Sequence, residues 1–381
     1  MVRENPRENP SLVPPAARAR PFAMEGKAFH MKLILHIGTE KTGSTSIQQA
    51  LAADREALAA RGILYPRLFG RPNHTQLAIA AADPNPNNVQ QLVELQRQGV
   101  DHPGYQARLA ECLREEKASG RFDQMIVSSE HFHSRLTKPD AIQRLFHILG
   151  IAPQDTRIVV YLRRQDRLAV SHYSTKLKLG STDEIFQVGK ELPYYFCFDR
   201  LLANWAGFVD PSRISVRLFE MGRMTGGDVV SDFYDVAGLG LAPSRQPRAN
   251  RSLSQQQALF LRRFNDIFPQ VVDGRINEER GPVLKVIRNV GLGESFRPPR
   301  EAAEAFYTLY RSGNAEVRAR YLQDLDRPTL FDEDFSEYPE GAAQAGLDEE
   351  TLFQFIAAFW RYAHGRGGAG GEDKTAAPHD A

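Results

Sequence analysis

The stretch LHIGTEKTGSTSIQ, residues 35–48, comes directly after an aliphatic run and leads into a helical pattern of apolar residues. A buried strand that passes through glycines into a helix exposes backbone N–H groups at the helix N-terminus, and such groups bind anions. The two glycines have the spacing of the G-x-x-x-x-G-K-[ST] phosphate loop, but Ser44 stands in the lysine position and Lys41 precedes the second glycine. The sequence therefore predicts a phosphate-binding loop of unusual form.

Strand patterns and helix patterns alternate over the first part of the chain, which is typical of a parallel sheet covered by helices on both faces. The strand candidates are short aliphatic runs: MKLILHIG at 31–38, ILYPR at 63–67, FDQMIVSSEHF at 122–132, TRIVVYLRR at 156–164 and RISVRLFE at 213–220. A helical pattern begins at residue 44 and is expected to end at Gly62, and the segment 70–103, rich in Pro and Asn, is expected to be a loop with one short helix. Beyond residue 250 the apolar periodicity is helical. We predict a single α/β domain with a central, mostly parallel β-sheet flanked by helices. It covers 31–365, with a core at 31–245 and a helical extension at 246–365, between disordered tails at 1–30 and 366–381.

Composition and charge argue against several classes of protein. The 381 residues carry a formal net charge of +1, so general basicity gives no reason to expect a nucleic-acid partner. The longest apolar runs are far shorter than the roughly 20 residues of a membrane-spanning helix. Cys112 and Cys197 have no metal-ligand spacing, and such sparse cysteine usage fits a reducing cytoplasm. We expect a cytoplasmic protein without a transmembrane segment or a bound metal; its oligomeric state stays open.

The glycine loop offers several groups to an anion. Gly43 allows the backbone to approach a ligand, Lys41 supplies a positive charge, and hydroxyl donors follow at the start of the helix. The predicted ligand-binding residues of this loop are Lys41, Thr42, Gly43, Ser44, Thr45 and Ser46. A glycine turn that enters a helix without any ligand is the alternative. Ser44 or Thr45 is also a candidate N-cap of that helix.

A second basic cluster, YLRRQDRLAVSHYSTKLKLG at 161–180, contains the end of a predicted strand and the helix after it. Arg163 stands at the carboxyl end of the strand, where ligands bind in open α/β sheets, and its planar guanidinium suits a phosphate. Ser171 lies eight positions later, about two helical turns. Three other cations are expected to lie on the solvent-exposed face of the helix: Arg167, Lys176 and Lys178. Two separate phosphate-binding elements predict a ligand with phosphates at both ends.

The two motifs together resemble those of the sulfotransferases. HIGTEKTGSTSIQ is similar to that family's 5′-phosphosulfate loop, and LRRQDRLAVSHY, with arginine and serine eight apart, is similar to its 3′-phosphate motif. The resemblance covers about residues 31–220 and is strongest to bacterial members with a P-loop-type fold. It implies 3′-phosphoadenosine 5′-phosphosulfate (PAPS) as co-substrate, without a metal. Lys41 would contact the phosphosulfate, and Arg163 and Ser171 would belong to the 3′-phosphate site.

A weaker resemblance lies beyond the core. The stretch RANRSLS at 248–254 is similar to a short segment found after the core in some bacterial sulfotransferases. That likeness implies that Arg248 and Arg251 contact the co-substrate. Helix capping by Ser252 or Ser254 explains the same residues equally well.

Sulfuryl transfer to a hydroxyl needs a group that takes the hydroxyl proton. We expect Glu130 to be this base, because it follows a predicted strand near the loop. His74 is expected to contact the acceptor or to serve as an alternative base, and His131 is a third candidate. Lys41 and the loop N–H groups would stabilise the leaving phosphate. The implied partner is a hydroxyl-bearing acceptor: a glycan, a glycolipid, a lipid-linked sugar or another small molecule.

Two other functions remain open from the sequence. A P-loop kinase or other nucleotide phosphotransferase with an atypical loop would need magnesium and would bind ATP. A noncatalytic nucleotide-binding protein would keep the loop and lack the chemistry. The pairing of Arg163 with Ser171 argues against the kinase, and the presence of Lys41 argues against the noncatalytic protein.

Overall fold

The computed structural model describes residues 31–68, 72–85, 88–244, 252–272, 275–290, 294–341 and 346–365. The expectations for the two tails, and for Arg248 and Arg251 as co-substrate contacts, lie outside these described residues.

The fold is built on a five-stranded parallel sheet. Its strands, in the order in which they lie side by side, are β2 (Ile63–Leu64), β3 (Gln124–Ser128), β1 (Lys32–His36), β4 (Thr156–Leu162) and β5 (Ile214–Leu218). All four neighbouring pairs are parallel. The α/β prediction with a central parallel sheet is thereby confirmed.

Helices connect the strands and continue beyond them. The core helices are α1 (Ser44–Ala53), α2 (Arg55–Ala59), α3 (Thr75–Ala81), α4 (Val89–Gln98), α5 (His102–Ala118), α6 (His131–Arg135), α7 (Pro139–Leu149), α8 (Gln165–Lys178), α9 (Phe198–Ala206) and α10 (Val229–Ala237). The predicted helical C-terminal region contains α11 (Gln255–Ile267), α12 (Arg280–Asn289), α13 (Arg300–Thr308), α14 (Arg311–Tyr321) and α15 (Glu349–Ala363). A small antiparallel hairpin, β6 (Val271–Val272) with β7 (Arg275–Ile276), lies between α11 and α12.

Both faces of the sheet are covered, because successive strand residues point to opposite sides. In β4, Ile158 and Val160 belong to one buried cluster, with side chains of α3, α5, α7 and α9. Val159 and Tyr161 belong to the other, with side chains of α1 and α10. Burial on both faces explains why the strands were visible in the sequence as continuous aliphatic runs.

Two local expectations need correction. The helix expected to run from residue 44 to Gly62 is broken at Asp54 into α1 and α2. The segment 70–103, expected to be a loop with one short helix, contains α3 and also α4. Asn88 caps α4 by accepting a hydrogen bond from the N–H of Gln91, and Gly99 ends it with a left-handed residue. Within the described ranges no helix has the length and apolarity needed to cross a membrane.

Candidate anion-binding site

The site lies at the carboxyl edge of the sheet, between β1 and β4. The next strand along the chain after β1 is β2, which lies on one side of β1, whereas β4 is followed by β5 on the opposite side. The connections therefore diverge at this point and leave a crevice above the strand ends. In open α/β sheets this switch point is where ligands bind. The loops that follow β1 and β4 contain the two motifs singled out in the sequence.

The loop after β1 presents a run of unused backbone donors. In the part of the chain that the structure describes, the N–H groups of residues 41 to 45 donate to no acceptor. They surround the start of α1, where the helix dipole also favours negative charge. Lys41 has a φ of 64°, a left-handed conformation that is uncommon for a residue with a side chain. Strained conformations of this kind concentrate at ligand sites.

Gly43 is required here by conformation and packing. Its φ is 82°, and a Cβ at this position would lie 2.7 Å from Cγ1 of Val229 on α10. Gly43 is also the N-cap of α1, without a side-chain capping bond, so neither Ser44 nor Thr45 takes the capping role expected of it. The missing side chain of Gly43 therefore lets the loop backbone pack closely against α10 and not, as expected, against a ligand. The backbone N–H groups of the loop remain available to an anion.

The hydroxyl groups of the loop divide into two sets. Thr42 and Ser44 donate to the carbonyl oxygen of Thr39, at 2.7 and 3.3 Å, so they hold the loop in shape. Thr39 is itself fixed to β4, since its N–H and its hydroxyl both donate to the carbonyl of Tyr161 at 2.9 Å. Thr45 is exposed and Ser46 is half-buried. These last two hydroxyls are the ones placed to reach a ligand.

Arg163 connects the two motifs. Its Nη1 donates to the carbonyl oxygen of Lys41 at 3.0 Å, and its guanidinium lies over the ring of Phe219, with Cζ 5.6 Å from the ring centre. Burial lowers the pKa of the Arg163 guanidinium. Among the described residues no carboxylate forms an ion pair with Arg163 or with Lys41. Two neighbouring cations without direct counter-ions, beside free N–H groups, are a candidate site for an anion.

The neighbouring Arg164 has the opposite environment. Its side chain is fully buried and forms ion pairs with Asp166 at 2.8 Å, Asp332 at 2.8 Å and Glu337 at 3.2 Å. Arg167 pairs with the same Asp332 and with Glu337, so it contacts the helical extension and does not form the solvated face that we expected. The basic run therefore divides, with Arg163 facing the loop and its two neighbours binding residues 332–337.

Ser171 and Lys41 are the two other residues predicted to bind the anion. Ser171 lies on α8, one turn beyond Arg167, and is half-buried, with no hydrogen-bond partner for its hydroxyl among the described residues. Burial lowers the pKa of Lys41, the charge of Arg163 lowers it further, and the charges of Glu40 and Glu130 oppose the shift. Lys176, expected on a solvated face, pairs with Asp183 on the surface.

Glu130 lies against the loop. A Cβ on Gly38 would be 3.1 Å from the Cα of Glu130, so the absence of a side chain at Gly38 lets the two segments touch. Gln48 of α1 donates to Oε2 of Glu130 at 2.6 Å and fixes the carboxylate. The structure thus brings together Lys41, Arg163 and Glu130 at one edge of the sheet, from residues far apart in the sequence.

Glu40 is a member of this site that the sequence analysis missed. Tyr195 donates to its Oε2 at 3.1 Å, and Nδ1 of His131 lies 3.5 Å from its Oε1. Burial alone would raise the pKa of Glu40, but the hydrogen bonds and charge of His131, with Ser134 and His133, hold it well below its usual range. The sequence did contain a signal for this role of Glu40. A carboxylate inside a loop that is expected to bind an anion needs hydrogen-bond donors of its own, and these donors have to come from other parts of the chain.

His74 has a structural position in this fold. It is fully buried; its Nδ1 accepts from the N–H of Ser128 at 2.9 Å, and its Nε2 donates to the carbonyl of Pro66 at 3.0 Å. Both ring nitrogens are therefore occupied, and neither can take a proton from an acceptor. His133 is buried as well, and its Nε2 donates to the carbonyl of Tyr195 at 2.9 Å.

Buried neutral histidines make the folded state sensitive to acid. Burial lowers the pKa of His36 to about 3, and of His74 and His133 to about 4. An unfolded histidine titrates near 6.5, so between these values the unfolded chain binds more protons. The contribution of these histidines to the free energy of unfolding is fully present above about pH 6.5. It is lost as the pH falls, by about 1.4 kcal/mol per pH unit for each histidine. Urea unfolding between pH 7 and pH 5 measures this.

The control for the acid effect is His364→Gln, since His364 is an exposed histidine. It should leave the pH dependence unchanged, whereas His74→Gln should make it shallower. A wild-type unfolding free energy that stays constant from pH 7 to pH 5 would contradict buried neutral histidines.

Comparisons with known proteins do not show a family for this chain. No protein-family profile matches the sequence. An uncharacterized protein of Archaeoglobus fulgidus is 27% identical over 227 residues, which are 56% of this chain and 58% of that protein. The chain thus matches less than two thirds of that relative's length. The crystal structure of a sulfotransferase from Alicyclobacillus acidocaldarius is similar to 77% of this chain and 98% of that chain, at 15% identity. Its TM-score of 0.38 is too low to carry an argument about activity.

Proposed function

We propose that this protein is a sulfotransferase that moves a sulfuryl group from PAPS to a hydroxyl of a glycan, a glycolipid or another small acceptor. The observation that carries this proposal is the position of Arg163. It is a half-buried cation without an ion-pair partner among the described residues, and it donates to the backbone of the loop that offers five free N–H groups. A single ligand with a phosphate at each end satisfies both elements.

Each element has a distinct part in holding this co-substrate. The N–H groups of residues 41 to 45 and the ammonium of Lys41 would bind the phosphosulfate end. Arg163 and Ser171 would bind the 3′-phosphate. PAPS, when bound, supplies an activated sulfuryl group. Kinase activity is the alternative, but Ser44 stands where the lysine of a nucleotide triphosphatase loop would be.

The residues of the chain then serve the transfer itself. Glu130, fixed by Gln48, takes the proton of the acceptor hydroxyl while the oxygen of that hydroxyl forms a bond to sulfur. The bond between sulfur and the phosphate oxygen breaks, and the leaving group is adenosine 3′,5′-bisphosphate. Lys41 and the loop N–H groups stabilise the negative charge that grows on that phosphate, with little reorganisation because they are already in place. His131, paired with Glu40, is the second candidate for the proton acceptor.

Calorimetric titration tests the co-substrate site. We expect adenosine 3′,5′-bisphosphate to bind more tightly than 5′-AMP or ATP, with or without magnesium. Arg163→Ala should weaken bisphosphate binding by about 10- to 100-fold, the value of a hydrogen bond to a charged group, because the 3′-phosphate loses its guanidinium. The same variant should bind 5′-AMP as the wild type does, which verifies that the loop is intact.

Arg167→Ala is the matched control for this experiment. It removes an arginine of the same basic run, one that pairs with Asp332 and Glu337, and should leave bisphosphate affinity almost unchanged. Tighter binding of ATP in the presence of magnesium would reject the sulfotransferase and favour the kinase. Equal affinity for the bisphosphate and 5′-AMP would reject the 3′-phosphate site.

A further inference from the structure

Helix α15 leaves a stripe of large apolar side chains in contact with solvent. Leu352 is 39% exposed, Phe353 59%, Ile356 59% and Trp360 67%. Leu352, Ile356 and Trp360 follow one another at intervals of four residues, so they line one side of the helix, with Phe353 beside them. A monomeric soluble protein rarely exposes such a contiguous set, and a stripe of this kind marks an interaction surface.

This stripe is separate from the side of α15 that anchors the helix to the protein. Phe355 is buried, and its ring centre lies 4.5 Å from that of Phe260 on α11. Phe359, one turn later, lies 5.9 Å from the same ring. The helix therefore already has its packing face, and the exposed stripe is apolar surface that the described fold does not use.

The charges at the two ends of α15 are opposite in sign. Glu349 and Glu350 lie at its first turn and Arg361 at its last. Glu350 and Arg361 are 11 residues apart (361 minus 350), close to three full turns, so they lie on the same flank of the stripe. Among the described residues Arg361 has no ion-pair partner, and the side chain of Glu350 accepts only from Gln354, at 3.2 Å.

We propose that the stripe binds the α15 stripe of a second copy of this chain, with the two helices antiparallel about a two-fold axis near Ile356. In this arrangement Ile356 meets its own symmetry mate, and Leu352 meets Trp360 of the partner subunit. Antiparallel packing brings equal flanks together, so Glu350 of each copy lies opposite Arg361 of the partner subunit. The helix dipoles are also opposed, which favours this orientation. The stripe and its charges are thus complementary to themselves.

Sedimentation equilibrium of the full chain, from 1 to 100 µM (roughly the range of moderate dimer affinities), tests the dimer. The wild type should be dimeric, and Ile356→Glu should be monomeric, because it places two carboxylates against each other at the two-fold axis. Val93→Glu is the matched control, since Val93 is 50% exposed on α4 and its replacement should leave the dimer intact. A monomeric wild type overturns the proposal, and a monomer that binds anionic vesicles assigns the stripe to a membrane surface instead.

Charge reversal tests the antiparallel orientation. Glu350→Arg and Arg361→Glu should each weaken the dimer by roughly 10-fold, because two symmetric ion pairs become two like-charge contacts. The double variant Glu350→Arg/Arg361→Glu should return to the wild-type dissociation constant. A double variant that stays as weak as either single variant overturns the antiparallel pairing. Neither result depends on the enzymatic proposal, since sedimentation needs no substrate.

Discussion

Replacing Lys41 with methionine should lower kcat by about 10²–10³-fold, the usual effect of removing one preorganised group that stabilises a developing negative charge. The ammonium would act mainly when the bond to the leaving phosphate breaks, so the loss should fall on kcat more than on binding of adenosine 3′,5′-bisphosphate. Methionine keeps the length of the side chain and the backbone N–H groups of the loop. The measurement is the rate of bisphosphate formation from PAPS with an acceptor that the wild type uses.

Lys176→Met is the matched control for this substitution. Lys176 lies on α8, is 41% exposed and pairs with Asp183, so its loss should leave kcat and bisphosphate affinity unchanged. If Lys41→Met weakens bisphosphate binding and leaves kcat intact, Lys41 contributes uniform binding only and the assigned role in catalysis is wrong.

The parts of the fold that the sequence predicted are those in which local pattern and burial agree. β1, β3 and β4 are buried on both faces, so their aliphatic runs were unambiguous, and the glycine spacing located the loop. The geometry of the site also followed from topology: carboxyl ends of parallel strands share one edge, which places Arg163 beside Lys41.

Other features depend on contacts that no local pattern records. His74 was selected as a loop histidine, yet its side chain is buried between the N–H of Ser128 and the carbonyl of Pro66. Whether a histidine faces solvent depends on how α3 packs, which the sequence around it does not determine. Glu40 likewise gains its role from Tyr195, which is 155 residues away in the chain.

The largest stability effect should come from Arg164→Met. The Arg164 side chain is buried, donates to both oxygens of Asp166 at 2.8 and 2.9 Å, and lies 4.1 Å from the ring centre of Phe335. Removing it leaves the carboxylate of Asp166 buried, and among the described residues the one side-chain donor that remains is the hydroxyl of Tyr338, at 2.6 Å. Loss of one partner from a buried ion pair typically costs about 3–5 kcal/mol, and urea unfolding at pH 7 measures it.

Two further variants separate this ion pair from general loss of charge. Arg167→Met removes a 28% exposed arginine that shares Asp332 and Glu337, and should cost at most about 1 kcal/mol. Arg164→Met/Asp166→Asn should recover part of the lost stability, because no unpaired carboxylate remains. A single-variant cost no larger than that of Arg167→Met would contradict the buried pair. Since Arg164 ties the start of α8 to residues 332–337, and Arg163 precedes it directly, Arg164→Met should also weaken binding of adenosine 3′,5′-bisphosphate even under conditions where the variant is folded.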